Sequence, residues 1–229
     1  MINKIIILFK IARKIGSSDI IKIVDRTHKV PFFIKFFFNI VSLSFGKNQK
    51  KKDDTNDLSS IIQDLGTTFI KLGQFLATRP DIIGEDLTKN LEKLQDKLPP
   101  FSKSLAENII RDELGELTKK NIIEFSEPIA AASIAQVHKA KINDGNTIKD
   151  VAIKVLRPKI KEIFNSEIDA IMMLAYLVEM FIPKTKRLRL IEVVFLLKEI
   201  TNHEMDLRFE AAAANEYSEN TKNDLGFNV

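Results

Sequence analysis

The stretch EPIAAASIAQVHKAKINDGNTIKDVAIKV, Glu127 to Val155, leaves few folds open. Three strand-forming runs are separated by a small-residue loop, Ala130-Ala131-Ala132-Ser133, and by Asp144-Gly145. Asp-Gly between apolar runs is a tight hairpin signal, because its central residues must take φ > 0. The stretch therefore predicts consecutive strands, and helical patterns lie on both sides of it in sequence. The expected class is α+β.

Upstream, Leu58 to Thr78 has the period of one long helix. Placed at 100° per residue, Ile61, Ile62, Leu65, Phe69, Leu72, Phe75 and Leu76 share a side. Gln63, Asp64, Thr67, Lys71, Gln74 and Thr78 share the other, which by itself reads as a solvated face. Gly66 and Gly73 lie on one flank, and each costs about 1 kcal/mol against alanine inside a helix. Their pairing predicts a backbone passing close by. A short leucine-spaced helix follows, stopped by Pro99-Pro100. Ser104 with Glu107 forms a capping box for a helix ending near Gly115. After Arg157-Pro158 come two more helices, roughly Ile160 to Phe181 and Leu190 to Asn220.

The first 56 residues differ from the rest. They hold twelve Lys/Arg against four Asp, while the whole chain carries +4, so the remainder is acidic. Such a front end predicts an anionic surface as partner. The opening helix puts Ile2, Ile5, Ile6, Phe9, Ala12 and Ile15 on one broad side, with Lys10, Arg13 and Lys14 opposite. A membrane-surface helix and a helix docked on the body fit this pattern equally well. Pro31 to Phe45 is phenylalanine-rich but too short, and interrupted by Lys35, to read as a spanning helix of roughly 20 residues. A lysine-rich linker follows. No nucleic-acid-binding module is visible. There is no cysteine, and the three histidines are scattered, which excludes thiolate metal sites and disulfides and predicts no metal site.

Two groups of residues carry chemistry. VAIKV places Lys154 on a strand face opposite Val151, Ile153 and Val155, where it requires either an anion or solvent. Asp206 and Glu210 are i, i+4 neighbours on the last helix, and Glu204 lies about 120° away. Carboxylates on a long helix are ordinarily solvated. Here they follow a lysine strand, an order that resembles the nucleotide-binding hairpin of protein kinases and the helix glutamate that holds its lysine. In place of a glycine-rich phosphate loop, however, stand the alanines.

Three blocks in order resemble the UbiB/ABC1/ADCK family of atypical, kinase-like proteins of ubiquinone biosynthesis. KLGQFLATRPDIIGEDLTKNLEKLQDKLPPF is similar to its KxGQ region, PIAAASIAQVHKAKINDGNTIKDVAIKVLRP to its alanine-rich loop and lysine strand, and LLKEITNHEMDLRFEAAAAN to its ExD region. The resemblance implies a KxGQ helical subdomain (57–120) and the small lobe of a protein-kinase-like fold (121–229), behind a membrane-facing extension (1–56). It implies ATP as the nucleotide, held by Ala130, Ala131, Ala132, Ser133 and Lys154, with Glu210 orienting the lysine. Lys71, Gln74, Glu204 and Asp206 would gate the site, Lys71 meeting Glu204. Alanine reaches φ > 0 only at a cost, so the nucleotide should sit in another pose than under a glycine loop.

The family's larger lobe, with its HxD catalytic loop and DFG aspartate, has no counterpart in these residues. The expectation is a truncated or split member with no catalytic residue of its own, taking Mg²⁺ only if that lobe is supplied by a separately encoded partner. The implied setting is peripheral, on the cytoplasmic face of a membrane, touching anionic or isoprenoid lipid. A noncatalytic lipid-binding module with a vestigial nucleotide site is the rival reading. A flavin-dependent hydroxylase finds no GxGxxG to support it.

Overall fold

The structure is a computed structural model that describes residues 2–17, 58–94, 98–143, 145 and 147–224. The phenylalanine-rich stretch, the lysine-rich linker and Asp144 lie outside the described residues. Helix α1 is Ile2–Ser17. Then come α2 (Leu58–Leu65), α3 (Thr67–Ala77), α4 (Pro80–Ile83), α5 (Glu85–Leu91) and α6 (Lys103–Asn121). Strands β1 (Ile122–Ala131), β2 (Ala135–Asn143) and β3 (Ile148–Leu156) follow. Helix α7 (Ile160–Phe181), a 3₁₀ turn (Pro183–Leu188), α8 (Leu190–Glu204) and α9 (Leu207–Thr221) complete the order.

The sheet is antiparallel in the order β1-β2-β3, with Val137 opposite Lys154 and Ala135 opposite Leu156. Strand β1 is irregular, and Pro128 sits between two of its register shifts, where a missing N–H does least harm. At the β2–β3 turn Gly145 takes φ 95° and its N–H donates to Asn143 Oδ1. Buried His138 stacks on Phe125, with ring centroids 4.3 Å apart. Its Nδ1 is 2.9 Å from the Ser126 carbonyl, and its Nε2 is 2.9 Å from Gln136 Nε2. The amide can only donate, so the Nδ1–H tautomer satisfies both contacts. The Gln136 amide also accepts from Phe101 N–H and donates to Phe101 C=O, tying the segment before α6 to the sheet.

The main core joins the alanine turn to five helices. Ile11 of α1, Leu65 and Phe69, Ile134 and Ala135, Phe164 and Ile168 of α7, Leu197 of α8 and Met205 all meet in it. Smaller clusters form around Leu58, Leu87, Leu91 and Leu94, and between α6 and β3 at Ala106, Ile110 and Val155.

Several sequence expectations change here. The helix expected over 58–78 is broken by Gly66, whose φ of 108° and ψ of −178° only glycine adopts readily. Gly73 stays helical, and what approaches it is the Leu94 side chain, not a backbone: a Cβ there would sit 2.4 Å from Leu94 Cδ1. Helix α6 starts one residue before Ser104, and Ser102 Oγ accepts from Leu105 N–H, so Ser102 caps it. It also continues to Asn121 across a kink at Gly115. The helix expected over 190–220 breaks at Met205-Asp206 into α8 and α9.

Helix α1 docks on α7. The inward side is Ile7, Leu8, Ile11 and Ile15, turned well away from the apolar side expected from periodicity. Apolar residues extend round the helix beyond the expected side, so packing rather than pattern chose its face. Ile6, Phe9, Lys10 and Arg13 are left exposed together.

Candidate functional site

A cleft of about 360 Å³ opens where the alanine turn, β3 and the α8–α9 break come together. It is lined by Lys71, Ala132, Ile134, Ala135, Lys154, His203, Glu204, Asp206 and Glu210. Its volume is that of a small-ligand site. Residues from four separate parts of the chain converge there.

Lys154 projects from the exposed face of β3, while Val155 beside it is buried against α6. Its Nζ donates to Glu210 Oε2 at 2.7 Å. Glu210 lies in the first turn of α9, where the helix dipole favours a carboxylate. Across the cleft Lys71 Nζ lies 2.8 Å from Glu204 Oε2. The two pairs differ in surroundings: the Lys71 side chain is 12% exposed and that of Lys154 is 37% exposed.

Asp206 is not an i, i+4 neighbour of Glu210 on one continuous helix, because the helix stops before it. It is the N-cap of α9, accepting from Arg208 N–H. Arg208 Nε and Nη2 also donate to its two oxygens, a fork–carboxylate pair. That side-chain bond chiefly lowers the Asp206 pKa to about 2 against the opposing cost of burial; the Arg208 N–H and the Arg208 and Lys161 charges add smaller downward shifts. The helix break is what lets Glu204, at the end of α8, and Glu210, in the first turn of α9, face one cleft.

The alanines divide. Ala130 and Ala131 belong to β1, opposite Val137 and Gln136. Only Ala132 of the four small residues lines the cleft, and Ser133 is fully buried. Ala132 N–H donates to Ala135 C=O at 2.8 Å, closing a tight turn. None of Ala130 to Ser133 has positive φ. Alanine is therefore unstrained here, and this turn gives no geometric reason for glycine.

The Ala132 and Ser133 carbonyls of the turn are both held from outside it. Arg157 Nε and Nη2 donate to Ala132 C=O at 3.0 and 2.8 Å, and Nη1 donates to Pro99 C=O at 3.0 Å. Thr67 Oγ1, one turn before Lys71, donates to Ser133 C=O at 3.1 Å. Neither residue was singled out from sequence. In the sequence Arg157 marks only the point after which the helices follow; its five donors beside a small-residue turn are the signal it carries. His203, also missed, lines the cleft and contacts the Phe209 ring at 4.9 Å. Gln74, expected to gate the site, is not among the residues that line this cleft. Among the described residues no cluster of His, Asp and Glu could hold a metal ion.

An alanine turn, a strand lysine paired with a helix glutamate, and antiparallel strands beneath them point to a kinase-like small lobe as the class to compare. Residues 93–229 match the model of the ABC1 atypical kinase-like domain, and the chain belongs to that family. It is 35% identical to the probable protein kinase UbiB of Marinobacter nauticus over 196 residues, 85% of this chain and 35% of that protein. It is 39% identical to the probable protein kinase UbiB of Pseudomonas paraeruginosa over 160 residues, 69% of this chain and 30% of that protein. The namesake from Aliivibrio fischeri is 38% identical over 154 residues. The chain spans about a third of the length of these curated relatives.

Proposed function

We propose that these residues form the anchoring half of the ATP site of a UbiB-type atypical kinase or ATPase that supports ubiquinone biosynthesis at a membrane. The observation that carries the reading is the Lys154–Glu210 pair at 2.7 Å beside the alanine turn. Lysine has three donors, and Glu210 Oε2 occupies one, so the ammonium could take a phosphate oxygen while the carboxylate keeps it aimed. ATP would supply the transferable phosphoryl group. Lys154 would bind its phosphates, and the Ala132–Ala135 turn would cover them.

Helix α3 forms the opposite wall. Its Lys71, paired with Glu204, and its Thr67 bond to the turn support a gating role for this KxGQ segment over the site. A protein substrate would have to displace that wall, which favours a lipid-linked task over protein phosphorylation. The front end, with Ile6, Phe9, Lys10 and Arg13 outward on α1, supports attachment at the cytoplasmic face of a membrane. No helix among the described residues is long and apolar enough to cross one.

The metal-binding aspartate and catalytic loop of the family have no counterpart in these 229 residues, so Mg-ATP should bind them weakly and without hydrolysis. Titration calorimetry tests this. Weak binding that Lys154→Ala abolishes, strengthened by adding a large lobe of the same family, is the expected result. Tight Mg-ATP binding indifferent to Lys154→Ala would place the nucleotide elsewhere and end the proposal.

A further inference from the structure

We infer that the tip of the α7–α8 hairpin is a second membrane contact, built to rest on anionic phospholipid. It deepens the proposal that the chain works at a membrane and rests on that reading. It assigns the contact to the folded body rather than to the front end alone.

The observations are local and mutually consistent. Leu174, Leu177, Met180 and Phe181 are exposed, Met180 by 60% and Phe181 by 73%. At 100° per residue they fall within an arc of about 120°, one stripe along the last two turns of α7. A stripe of large apolar side chains left in water marks an interaction site. The chain then enters the 3₁₀ turn Pro183–Leu188, which carries exposed Lys184, Lys186 and Arg187 and no acidic residue. Six residues at about 2 Å each keep those cations within about 12 Å of Phe181.

Two occupants could cover such a stripe, and the charges separate them. Protein interfaces are depleted of lysine at their centres, because ammonium groups are costly to desolvate. A membrane surface asks for the opposite arrangement: apolar side chains in the acyl boundary and lysine or arginine among the phosphates, their methylene stems bridging the two. An apolar stripe ending in three cations matches the membrane. Helix α1, packed on the same α7, adds Ile6 and Phe9 beside Lys10 and Arg13 on its outer side. It repeats the same chemistry on a neighbouring element.

The test is vesicle flotation of the full chain, with phosphatidylcholine vesicles and with vesicles containing phosphatidylglycerol. Three variants accompany the wild type: Met180→Glu/Phe181→Glu, Lys184→Ala/Lys186→Ala/Arg187→Ala, and Lys10→Glu as a probe of the front end. All substituted side chains of the tip are exposed, so circular dichroism and melting should match the wild type. The wild type should float with anionic vesicles and much less with neutral ones. Each tip variant should lose at least tenfold in partitioning, about 100-fold for the triple cation variant.

Flotation that is lost with Lys10→Glu and untouched by both tip variants overturns this inference while leaving membrane attachment intact. No flotation by the wild type overturns both. If the wild type self-associates or captures a large lobe and the tip variants do not, with flotation unchanged, the stripe is a protein interface and the inference fails.

Discussion

The two lysine–glutamate pairs of the cleft have the same chemistry and similar lengths, 2.8 Å for Lys71–Glu204 and 2.7 Å for Lys154–Glu210, so their difference in burial should decide their strength. The side chains of the second pair are 37% and 60% exposed, and such pairs couple by about 0.2–1 kcal/mol because water screens them. Lys71 is 12% exposed while Glu204 is 42% exposed, between that case and a fully buried pair, whose breaking costs about 3–5 kcal/mol. A coupling of about 1–2 kcal/mol follows for Lys71–Glu204. Double-mutant cycles in urea, with Lys71→Met and Glu204→Gln against Lys154→Met and Glu210→Gln, measure both. Raising the salt should erode the Lys154 coupling more, since only exposed charges are well screened. This order suits the proposed site: the Lys154 pair is weak enough for phosphate to compete, and the Lys71 pair is strong enough to hold a wall. A Lys71–Glu204 coupling within the additivity error of about 0.3–0.5 kcal/mol, or a larger one for Lys154–Glu210, would refute the reasoning.

Two further outcomes follow from the cleft. Thr67→Val should raise amide exchange in the segment Ala130 to Gln136 by releasing the Ser133 carbonyl, and Thr67→Ser should restore protection; equal protection in all three proteins would show that the hydroxyl does not hold the turn. Asp206 has a folded pKa depressed to about 2 from an ordinary 3.8, so its contribution to stability is present above about pH 4 and lost as the pH falls toward 2. Asp206→Asn, which keeps a capping side chain, should therefore flatten that acid limb in urea melts at pH 2 to 5; an unchanged limb would mean that Arg208 does not hold the carboxylate in solution.

Local pattern was enough to read the three strands, the placement of Lys154 opposite a buried face, α7 almost to the residue, and the family. Each of these depends on neighbours in sequence: period-two alternation, a 3.6-residue stripe, a turn dipeptide, a run of motifs. By residue pattern alone the carboxylates were legible as types but not as an arrangement; the Lys154–Glu210 and Lys71–Glu204 pairs, both present, were expected only through the family resemblance. From sequence, Glu204, Asp206 and Glu210 rode on one helix and could not all face one point. The break at Met205-Asp206 carries no proline or glycine; Met205 is drawn fully into the core and Asp206 caps the next helix. Buried area outweighed helix continuity there, a competition invisible to periodicity. The same holds for α1, whose apolar residues spread beyond one side and whose buried face is set only by packing on α7. Thr67 and Arg157 reach carbonyls 66 and 25 residues away, and only the folded chain brings donor and acceptor together. The sequence by itself thus determined which chemistry is present, while tertiary packing decided which charges meet, because contacts distant in sequence are set by the burial of the core between them.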